Sequence, residues 1–256
     1  MGKIIAVANQ KGGVGKTTTV INLSASLAEM RKKVLTIDLD PQGNTTSGLG
    51  IDKNALDNTV YDLLIGECGM KDCVTKCSMP GVDVIPSTVE LAGAEVELAG
   101  VDGSQFLLKQ KTGQELRKYD YVLIDCPPSL NILTINALTT AGSVLVPIQC
   151  EYYALEGLSQ LMYTISLVRR SLNPDLKVEG VVFTMYDSRT NFSQQVVDNV
   201  RENYDQKIFR TVIPRNIRLA EAPSHGLPII LYDPRCSGAE SYRQLAREFV
   251  KSGKKR

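Results

Sequence analysis

The sequence predicts one α/β domain, in which a mostly parallel, twisted sheet carries helices on both faces. The chain has 256 residues, of which 43% are apolar, and this is enough for one large domain. Its apolar, β-branched segments read as continuous runs, which is typical of strands buried on both faces. Stretches with apolar residues at helical spacing separate most of these runs. Together these observations predict a doubly wound sheet.

The predicted elements alternate along the chain. Continuous apolar runs predict strands at 4–8, 34–37, 82–85, 121–124, 144–148 and 178–183, and weaker ones at 208–213 and 229–232. Apolar residues three or four apart predict helices at 18–31, 131–141, 155–172, 191–204 and 238–251. Because ligands bind beyond the carboxyl ends of the strands in such a sheet, the residues that follow each strand are the candidates for function.

A glycine-rich run follows the first predicted strand and reads Gln10-Lys11-Gly12-Gly13-Val14-Gly15-Lys16-Thr17-Thr18. Glycines let successive backbone N–H groups turn toward phosphates, and a helix that opens at Lys16 or Thr17 adds its own N–H groups. Lys16 is predicted to reach the β- and γ-phosphates, and the Thr17 hydroxyl to ligate Mg²⁺. Gln10 replaces the first glycine of the usual pattern, and Lys11 adds a second positive charge. The run predicts a P-loop NTPase that binds a nucleoside triphosphate with magnesium.

Carboxylates follow two more of the predicted strands. The run Asp38-Leu39-Asp40-Pro41-Gln42-Gly43-Asn44 comes after the second strand, and Asp125-Cys126-Pro127-Pro128-Ser129 comes after the fourth. Asp125 fits a Walker B carboxylate that holds Mg²⁺ through its water shell, with Asp38 supporting the same ion. Asp40 is the candidate for orienting or activating the attacking water, and Gly43 would let its run move when the γ-phosphate leaves. The chain has no Asn/Thr-Lys-x-Asp element for reading guanine, which favours ATP over GTP.

Three of the six cysteines, Cys68, Cys73 and Cys77, are spaced loosely like the ligands of an iron–sulfur cluster or a zinc ion. Three ligands are too few for such a site, their neighbours suggest no fourth, and the single histidine, His225, is distant in sequence. We therefore expect reduced, partly buried thiols.

Charge and hydropathy bear on partners and location. The net charge is +1, but 13 Lys and Arg against 16 Asp and Glu give −3 before residue 150, and 16 against 12 give +4 after it. A basic face in the second half is therefore possible. No apolar run approaches the roughly 18 residues of a membrane helix. We expect a cytoplasmic protein with no membrane partner and with a short basic tail at about 252–256.

Four motifs together resemble those of the ParA/Soj chromosome- and plasmid-partitioning ATPases, within the deviant Walker A superfamily that includes MinD. They are the runs from Lys11 to Thr18, from Asp38 to Asn44, from Asp125 to Ser129, and Ile213-Pro214-Arg215-Asn216 with Glu221-Ala222-Pro223-Ser224. The resemblance extends from residue 1 to about residue 250. Gln10 in place of glycine is itself usual in this family.

The resemblance implies an ATP hydrolase that is slow unless stimulated and that forms a nucleotide-sandwich dimer when ATP binds. Lys11 would be the signature lysine that reaches the phosphates of the partner subunit, and Gly12 would lie at the close approach between subunits. Asp40 would promote hydrolysis. Pro214, Arg215 and Asn216 would lie near the adenine.

The resemblance also implies partners. The ATP dimer of this family binds double-stranded DNA without sequence preference, and a ParB-type protein stimulates hydrolysis and releases the DNA, so a nucleoid-associated protein is expected. Arg189 and Arg218 match positions of the family's DNA-contacting arginines. They would pair with phosphates and give salt-dependent binding without base readout.

Alternative functions stay open from the sequence. A MinD-like ATPase would work on a membrane through a C-terminal amphipathic helix, but the tail from Glu248 to Arg256 has little apolar surface. A nitrogenase-reductase-like protein would need two cysteines that bridge a dimer, and Cys126 and Cys150 do not form such a pattern. A nucleotide-gated regulator of replication or transcription is the third alternative.

Overall fold

A computed structural model describes residues 2–151, 154–204 and 207–253 of the chain. The strands are β1 Lys3–Val7, β2 Val34–Asp38, β3 Thr75–Lys76, β4 Val82–Ile85, β5 Tyr121–Asp125, β6 Ser143–Gln149 and β7 Lys177–Thr184. The helices are α1 Lys16–Glu29, α2 Asn44–Gly48, α3 Val60–Ile65, α4 Met70–Cys73, α5 Leu91–Glu97, α6 Leu107–Thr112, α7 Ile132–Thr140, α8 Ala154–Ser171, α9 Asn191–Asn203, α10 Ile217–Glu221, α11 Ile229–Tyr232 and α12 Ser237–Gly253. Four 3-10 turns lie at Lys53–Ala55, Ser104–Phe106, Gly113–Lys118 and Ala222–His225.

The strands form one sheet in the order β3-β4-β2-β5-β1-β6-β7, parallel except for the β3–β4 pair. The doubly wound fold predicted from the sequence is therefore confirmed. Along the sheet, Val7 of β1 and Asp38 of β2 are both in register with Asp125 of β5. This register brings the carboxyl ends of three central strands to one level, and the three predicted motifs follow those ends.

Two apolar layers enclose the sheet. On one face, α3, α7 and α8 contribute buried residues such as Leu63, Leu138 and Leu161. On the other face, α1 and α12 pack together through residues that include Leu23 and Tyr242. Burying both faces requires the continuous apolar strands that the sequence contains.

The weaker strand predicted at 208–213 is wrong. Phe209 N–H donates to the Val181 carbonyl of β7, and Ile213 N–H donates to the Phe183 carbonyl. The two donors are four residues apart but their acceptors are only two apart, so the segment does not stay in register with β7. The segment bulges outward between these contacts. There the backbone N–H groups of Arg210 and Thr211 donate to the Glu248 carboxylate of α12 at 3.0 and 2.8 Å, which takes the place of a ladder.

The strand predicted at 229–232 is also wrong, because these residues form α11. A four-residue apolar run fits a buried helix turn as well as a strand. Pro228 precedes the first residue of the helix, and the buried Asn22 of α1 accepts the hydrogen bond of Ile229 N–H at 2.7 Å. The sequence reading also missed α3, although Thr59 and Asp62 form a capping box at its start.

The C-terminal helix α12 continues to Gly253, so the predicted tail is helical at 252–253, and residues 254–256 lie outside the described part of the chain. Among the helices that are described, none combines the length and hydropathy that a membrane crossing requires.

The contact between Asn22 and α11 predicts a stability effect. Asn22→Ala leaves the buried Ile229 N–H without its acceptor and removes the bond from Asn22 Nδ2 to the Thr18 carbonyl. We expect the free energy of unfolding to fall by about 1–3 kcal/mol, measured by urea denaturation. Asn199→Ala on the exposed side of α9 is the control and should stay within about 0.5 kcal/mol of wild type. Equal values for the two variants would contradict this role of Asn22.

Candidate nucleotide-binding site

The glycine-rich loop joins β1 to α1, as predicted, and α1 begins at Lys16. Gly13 and Gly15 have positive φ values of 74° and 83°, in the left-handed region that favours glycine. Apart from its chain neighbours, no described residue has an atom within 4 Å of a Cβ built on Gly12. The fold of the described chain therefore needs glycine at 13 and 15 for backbone conformation, whereas Gly12 leaves an open surface.

Side chains that the sequence reading missed fix both ends of this loop. The buried Asn9 accepts from Lys11 N–H at 3.0 Å and donates to the Pro147 carbonyl. Thr184, the last residue of β7, donates to the Val14 carbonyl at 2.8 Å. Gln10 donates to Thr164 of α8 at 3.1 Å, which gives the departure from the usual glycine a structural role. The loop is thus held by side chains of the chain itself.

Lys16 lies inside the loop rather than in solvent. The residue is 7% exposed, and its ammonium donates to the Lys11 carbonyl at 3.1 Å. Burial lowers the pKa of Lys16, and the Asp125 carboxylate opposes this shift. An anionic ligand in the loop would therefore stabilise the buried positive charge of Lys16.

Asp125 is fully buried at the end of β5 and connects two other segments. Its Oδ2 accepts from the Thr17 hydroxyl of α1 at 2.8 Å and from the Thr45 hydroxyl of α2 at 2.7 Å. Its Oδ1 is buried and makes no hydrogen bond within the described residues. A buried carboxylate oxygen without a partner, beside a hydroxyl, is a donor set that suits a hard cation.

Asp38 is the second buried carboxylate and lies in register with Asp125. Its Oδ2 accepts from Thr46 N–H at 2.9 Å and from the Thr46 hydroxyl at 2.7 Å, and its Oδ1 accepts from Asp40 N–H at 3.2 Å. In this structure Asp38 therefore holds the segment that follows it. Its predicted role in supporting a metal stays a prediction.

Burial disfavours the charged form of both carboxyl groups. Burial, with the Asp125 charge as the next cause, raises the pKa of Asp38 to about 7. Burial raises the pKa of Asp125 to about 6, and the hydrogen bonds from Thr45 and Thr17 oppose that shift. The pair is therefore a place where the chain gains from an added positive charge.

Asp40 begins the switch segment, which we define as residues 40–46. Its side chain is partly exposed, and its carboxylate accepts from Gln42 N–H at 3.0 Å. Its carbonyl accepts from the Ser87 hydroxyl at 2.9 Å. At Gly43 φ is 58°, and an added Cβ would lie 2.5 Å from the Ser87 carbonyl, so a side chain does not fit. Most of the side-chain hydrogen bonds that join this segment to the rest of the site involve Asp38 or Ser87.

A cavity of about 250 Å³ opens beside the loop. Gly15 and Thr18 line one side, and all three residues expected near the adenine, Pro214, Arg215 and Asn216, line the other. The segment that carries them is held at the end of β7, where Arg215 N–H donates to the Tyr186 carbonyl. The structure brings these sequence-distant residues to the loop, and their contact with adenine stays a prediction.

The remaining predicted residues are exposed cations paired with carboxylates. Lys11 forms an ion pair with Glu151, just beyond β6. Arg189 makes two hydrogen bonds to Asp187, at 2.9 and 2.7 Å, and Arg218 pairs with Glu221 at 2.9 Å. The arginines lie before α9 and within α10, outside the cluster of loop and carboxylates. Arg218 is nevertheless followed by Leu219 and Ala220, which line the cavity together with Pro214, Arg215 and Asn216.

Comparison with known proteins gives consistent relatives. A family model described as an AAA domain matches residues 2–178. The chain is 55% identical to the sporulation initiation inhibitor protein Soj of Bacillus subtilis over 253 residues, which cover 99% of this chain and 100% of that protein. It is 51% identical to the chromosome partitioning protein ParA of Myxococcus xanthus, covering 98% of this chain and 89% of that one.

A solved structure agrees in fold. Cobyrinic acid a,c-diamide synthase from Mycobacterium smegmatis, crystallised with an ATP analog and magnesium, superposes with a TM-score of 0.88. It is 38% identical, and the match covers 100% of this chain and 97% of that one.

The buried carboxylate pair predicts that the free energy of unfolding depends on pH when a chelator keeps divalent metal ions away from the protein. Because the pKa of Asp125 is raised to about 6 and that of Asp38 to about 7, the folded chain binds protons between about pH 4 and 7 that the unfolded chain has released. The free energy of unfolding therefore falls as pH rises through this window. Asp125→Asn should show a smaller fall and a higher melting temperature than wild type at pH 8.

Thermal unfolding at pH 5.5 and 8 measures the effect, with about 2–4 °C expected for each kcal/mol. Asp102→Asn, at an exposed position, is the control and should keep the wild-type slope. A steeper fall for Asp125→Asn would show that its carboxylate stabilises the metal-free fold.

Proposed function

The chain belongs to the Soj/ParA family of chromosome-partitioning ATPases, and we propose that it is a single-domain DNA-segregation ATPase that cycles between monomer and dimer. In this proposal, ATP binding joins two copies, the dimer binds double-stranded DNA, and a ParB-type partner stimulates hydrolysis and releases the DNA. Hydrolysis without that partner is slow. The proposal includes a nucleoid location.

The unpartnered Oδ1 of Asp125 is the observation that carries the nucleotide part of the proposal. The buried oxygen lies on the same carboxyl group that the Thr17 hydroxyl contacts, next to a loop built for phosphates. Thr17 and Asp125 would hold Mg²⁺, with Asp38 as the further carboxylate. Bound there, Mg²⁺ neutralises charge that develops on the phosphates.

The chain's own groups account for binding and orientation. The left-handed Gly13 and Gly15 turn backbone N–H groups toward the phosphates, and the Lys16 ammonium can exchange the Lys11 carbonyl for a β- or γ-phosphate oxygen. Pro214, Arg215 and Asn216 would receive the adenine in the cavity beside Thr18. Relatives named Soj and ParA and a 38% identical structure with an ATP analog and magnesium support this reading.

Asp40 is assigned to the attacking water. It opens the switch segment, which begins two residues after the buried Asp38. Because Ser87 and Asp38 hold the backbone on either side of Asp40, the carboxylate can be aimed without its own side chain being buried. Because the Thr45 hydroxyl donates to Asp125, a change in what Asp125 binds would alter the position of this segment.

Pairing with a second copy is assigned to Lys11 and Gly12. The Lys11 side chain is 43% exposed and is engaged by Glu151 rather than buried in its own loop. Exposed ion pairs contribute little stability, so an anionic phosphate of another subunit can displace Glu151. The open space over Gly12 suits a close approach of backbone.

DNA binding is assigned to Arg189 and Arg218. The Arg189 side chain is 83% exposed and the Arg218 side chain 54%, and each is held in place by carboxylates. Pairs of this kind orient a guanidinium and leave donors for a phosphate. Two copies of each arginine in a dimer would double the number of phosphate contacts, which favours binding by the ATP state.

The catalytic assignment predicts that Asp40→Ala binds ATP, accumulates as a dimer and hydrolyses ATP about 100-fold more slowly or worse, since a positioned base typically contributes at least this factor. Lys16→Ala should lose ATP binding altogether. Nucleotide affinity, phosphate release and sedimentation with ATP measure these outcomes. Asp57→Ala, at an exposed position nearby in sequence, is the control. Undiminished turnover by Asp40→Ala would remove Asp40 from the mechanism.

The DNA assignment predicts opposite effects from the two members of one ion pair. With ATP and the Asp40→Ala background, Arg189→Ala should weaken binding to duplex DNA and flatten its dependence on salt. Asp187→Asn frees Arg189 and should strengthen binding. Fluorescence anisotropy at several salt concentrations measures both, and Arg247→Ala, which removes an arginine paired with Glu240, is the control. Loss of dimerisation by Arg189→Ala would mark the residue as structural instead.

A further inference from the structure

Two cysteines that the proposed function does not use lie in contact. Cys68 follows α3 and Cys73 ends α4, and their sulfur atoms are 2.8 Å apart with both thiols free. Cys77, the third member of the sequence cluster, faces elsewhere, and its sulfur lies within hydrogen-bond distance of the Met79 and Val82 carbonyls, either of which can accept its one proton. The described residues contain no group of three or more metal-ligating side chains, so the pair is not part of a metal site there.

We propose that Cys68 and Cys73 form a reversible intramolecular disulfide when the protein meets hydrogen peroxide. The pair is a modification site, independent of the nucleotide site. The sulfur atoms need to move closer by less than 1 Å to reach the roughly 2.05 Å of a disulfide bond. A short loop carries this movement, and Gly69 lies within it.

The two sulfur atoms differ in their exposure to solvent, and this assigns them different roles in the reaction. Cys68 is half-buried between the exposed Glu67 and Gly69, whereas Cys73 is fully buried. Burial also raises the pKa of the Cys73 thiol, so Cys73 stays protonated in the reduced protein and loses its proton only as it attacks the oxidised Cys68. Peroxide therefore meets Cys68 first, and Cys73 resolves the product.

The chemistry balances with peroxide as the oxidant. The Cys68 sulfur attacks one oxygen of hydrogen peroxide, the O–O bond breaks, and Cys68 sulfenic acid and water form. The Cys73 sulfur then attacks the sulfenic sulfur, the S–O bond breaks, and a second water leaves with the Cys73 proton. Two thiols have lost two electrons, and one peroxide has become two waters.

The fold tolerates the loss of the Cys73 proton. In the reduced protein the Cys73 thiol donates to the Thr59 carbonyl at 3.3 Å. That carbonyl also accepts from Leu63 N–H at 3.2 Å, as part of the first turn of α3. Oxidation therefore leaves no unpaired carbonyl at Thr59, and the sequence from α3 to α4 keeps its helices.

Peptide mapping tests the proposal directly, because Lys71 lies between the two cysteines and Lys76 precedes Cys77. The full-length native protein is reduced, freed of reductant, treated with hydrogen peroxide, alkylated with N-ethylmaleimide after unfolding, and digested with trypsin. We expect peptides 54–71 and 72–76 to be joined, and four alkylated cysteines in place of six. Dithiothreitol should restore all six.

Two variants complete the test. Cys77→Ser removes a half-buried thiol outside the pair and should leave the cross-link unchanged, whereas Cys68→Ser should abolish it. Circular dichroism checks that both variants are folded. Oxidation of wild-type Cys68 to sulfinic acid while Cys73 remains alkylated would overturn the proposal, as would cross-links that join separate chains. The wild-type result decides the matter even if a variant fails to fold.

Discussion

The burial of two carboxyl groups, Asp38 and Asp125, is the constraint on which the nucleotide site depends. The parallel register of β2 and β5 places them side by side, and burial removes the water that would screen them. The hydroxyl groups of Thr17 and Thr45 donate hydrogen bonds to Asp125, and the hydroxyl group of Thr46 donates one to Asp38. Those hydroxyls belong to segments on both sides of the site, so the charge of the pair and the position of the segments are linked.

This linkage connects the carboxyl pair to the switch segment. Thr45 and Thr46 are adjacent, but one donates to Asp125 and the other to Asp38. Thr46 also accepts from Ser87 N–H, and the Ser87 hydroxyl holds the carbonyl of Asp40. A ligand that competes for Asp125 releases one anchor of the switch segment and leaves the other in place. In the proposed function, a change at this one anchor is how nucleotide would shift the segment.

The sequence predicted the parts of the fold that local pattern determines. The loop glycines, Asp38 and Asp125 follow continuous apolar strands, and the register of those strands makes their meeting a consequence of the fold. Asn9, Thr45, Ser87 and Thr184 were missed, because each acts through a partner that is remote in sequence and their residue types are common in any loop. Pro214, Arg215 and Asn216 were singled out only through the family resemblance, and no local pattern predicts the cavity that they line. The segments at 208–213 and 229–232 were wrong because Glu248 and Asn22, from other helices, take over their backbone donors.

The exposed cations share one feature that the buried carboxyl groups lack, which is an ion pair at the protein surface. Lys11, Arg189 and Arg218 each lie against a carboxylate of the same chain, where the pair fixes the direction of a long side chain. An exposed pair of this kind is only weakly stable, because water and salt compete for both charges. A phosphate that offers more negative charge and more acceptor oxygens therefore exchanges with the carboxylate readily. Such exposed pairs suit the contacts that the proposed function assigns to them, whereas the carboxyl groups of Asp38 and Asp125 are fully buried and lie away from such exchange.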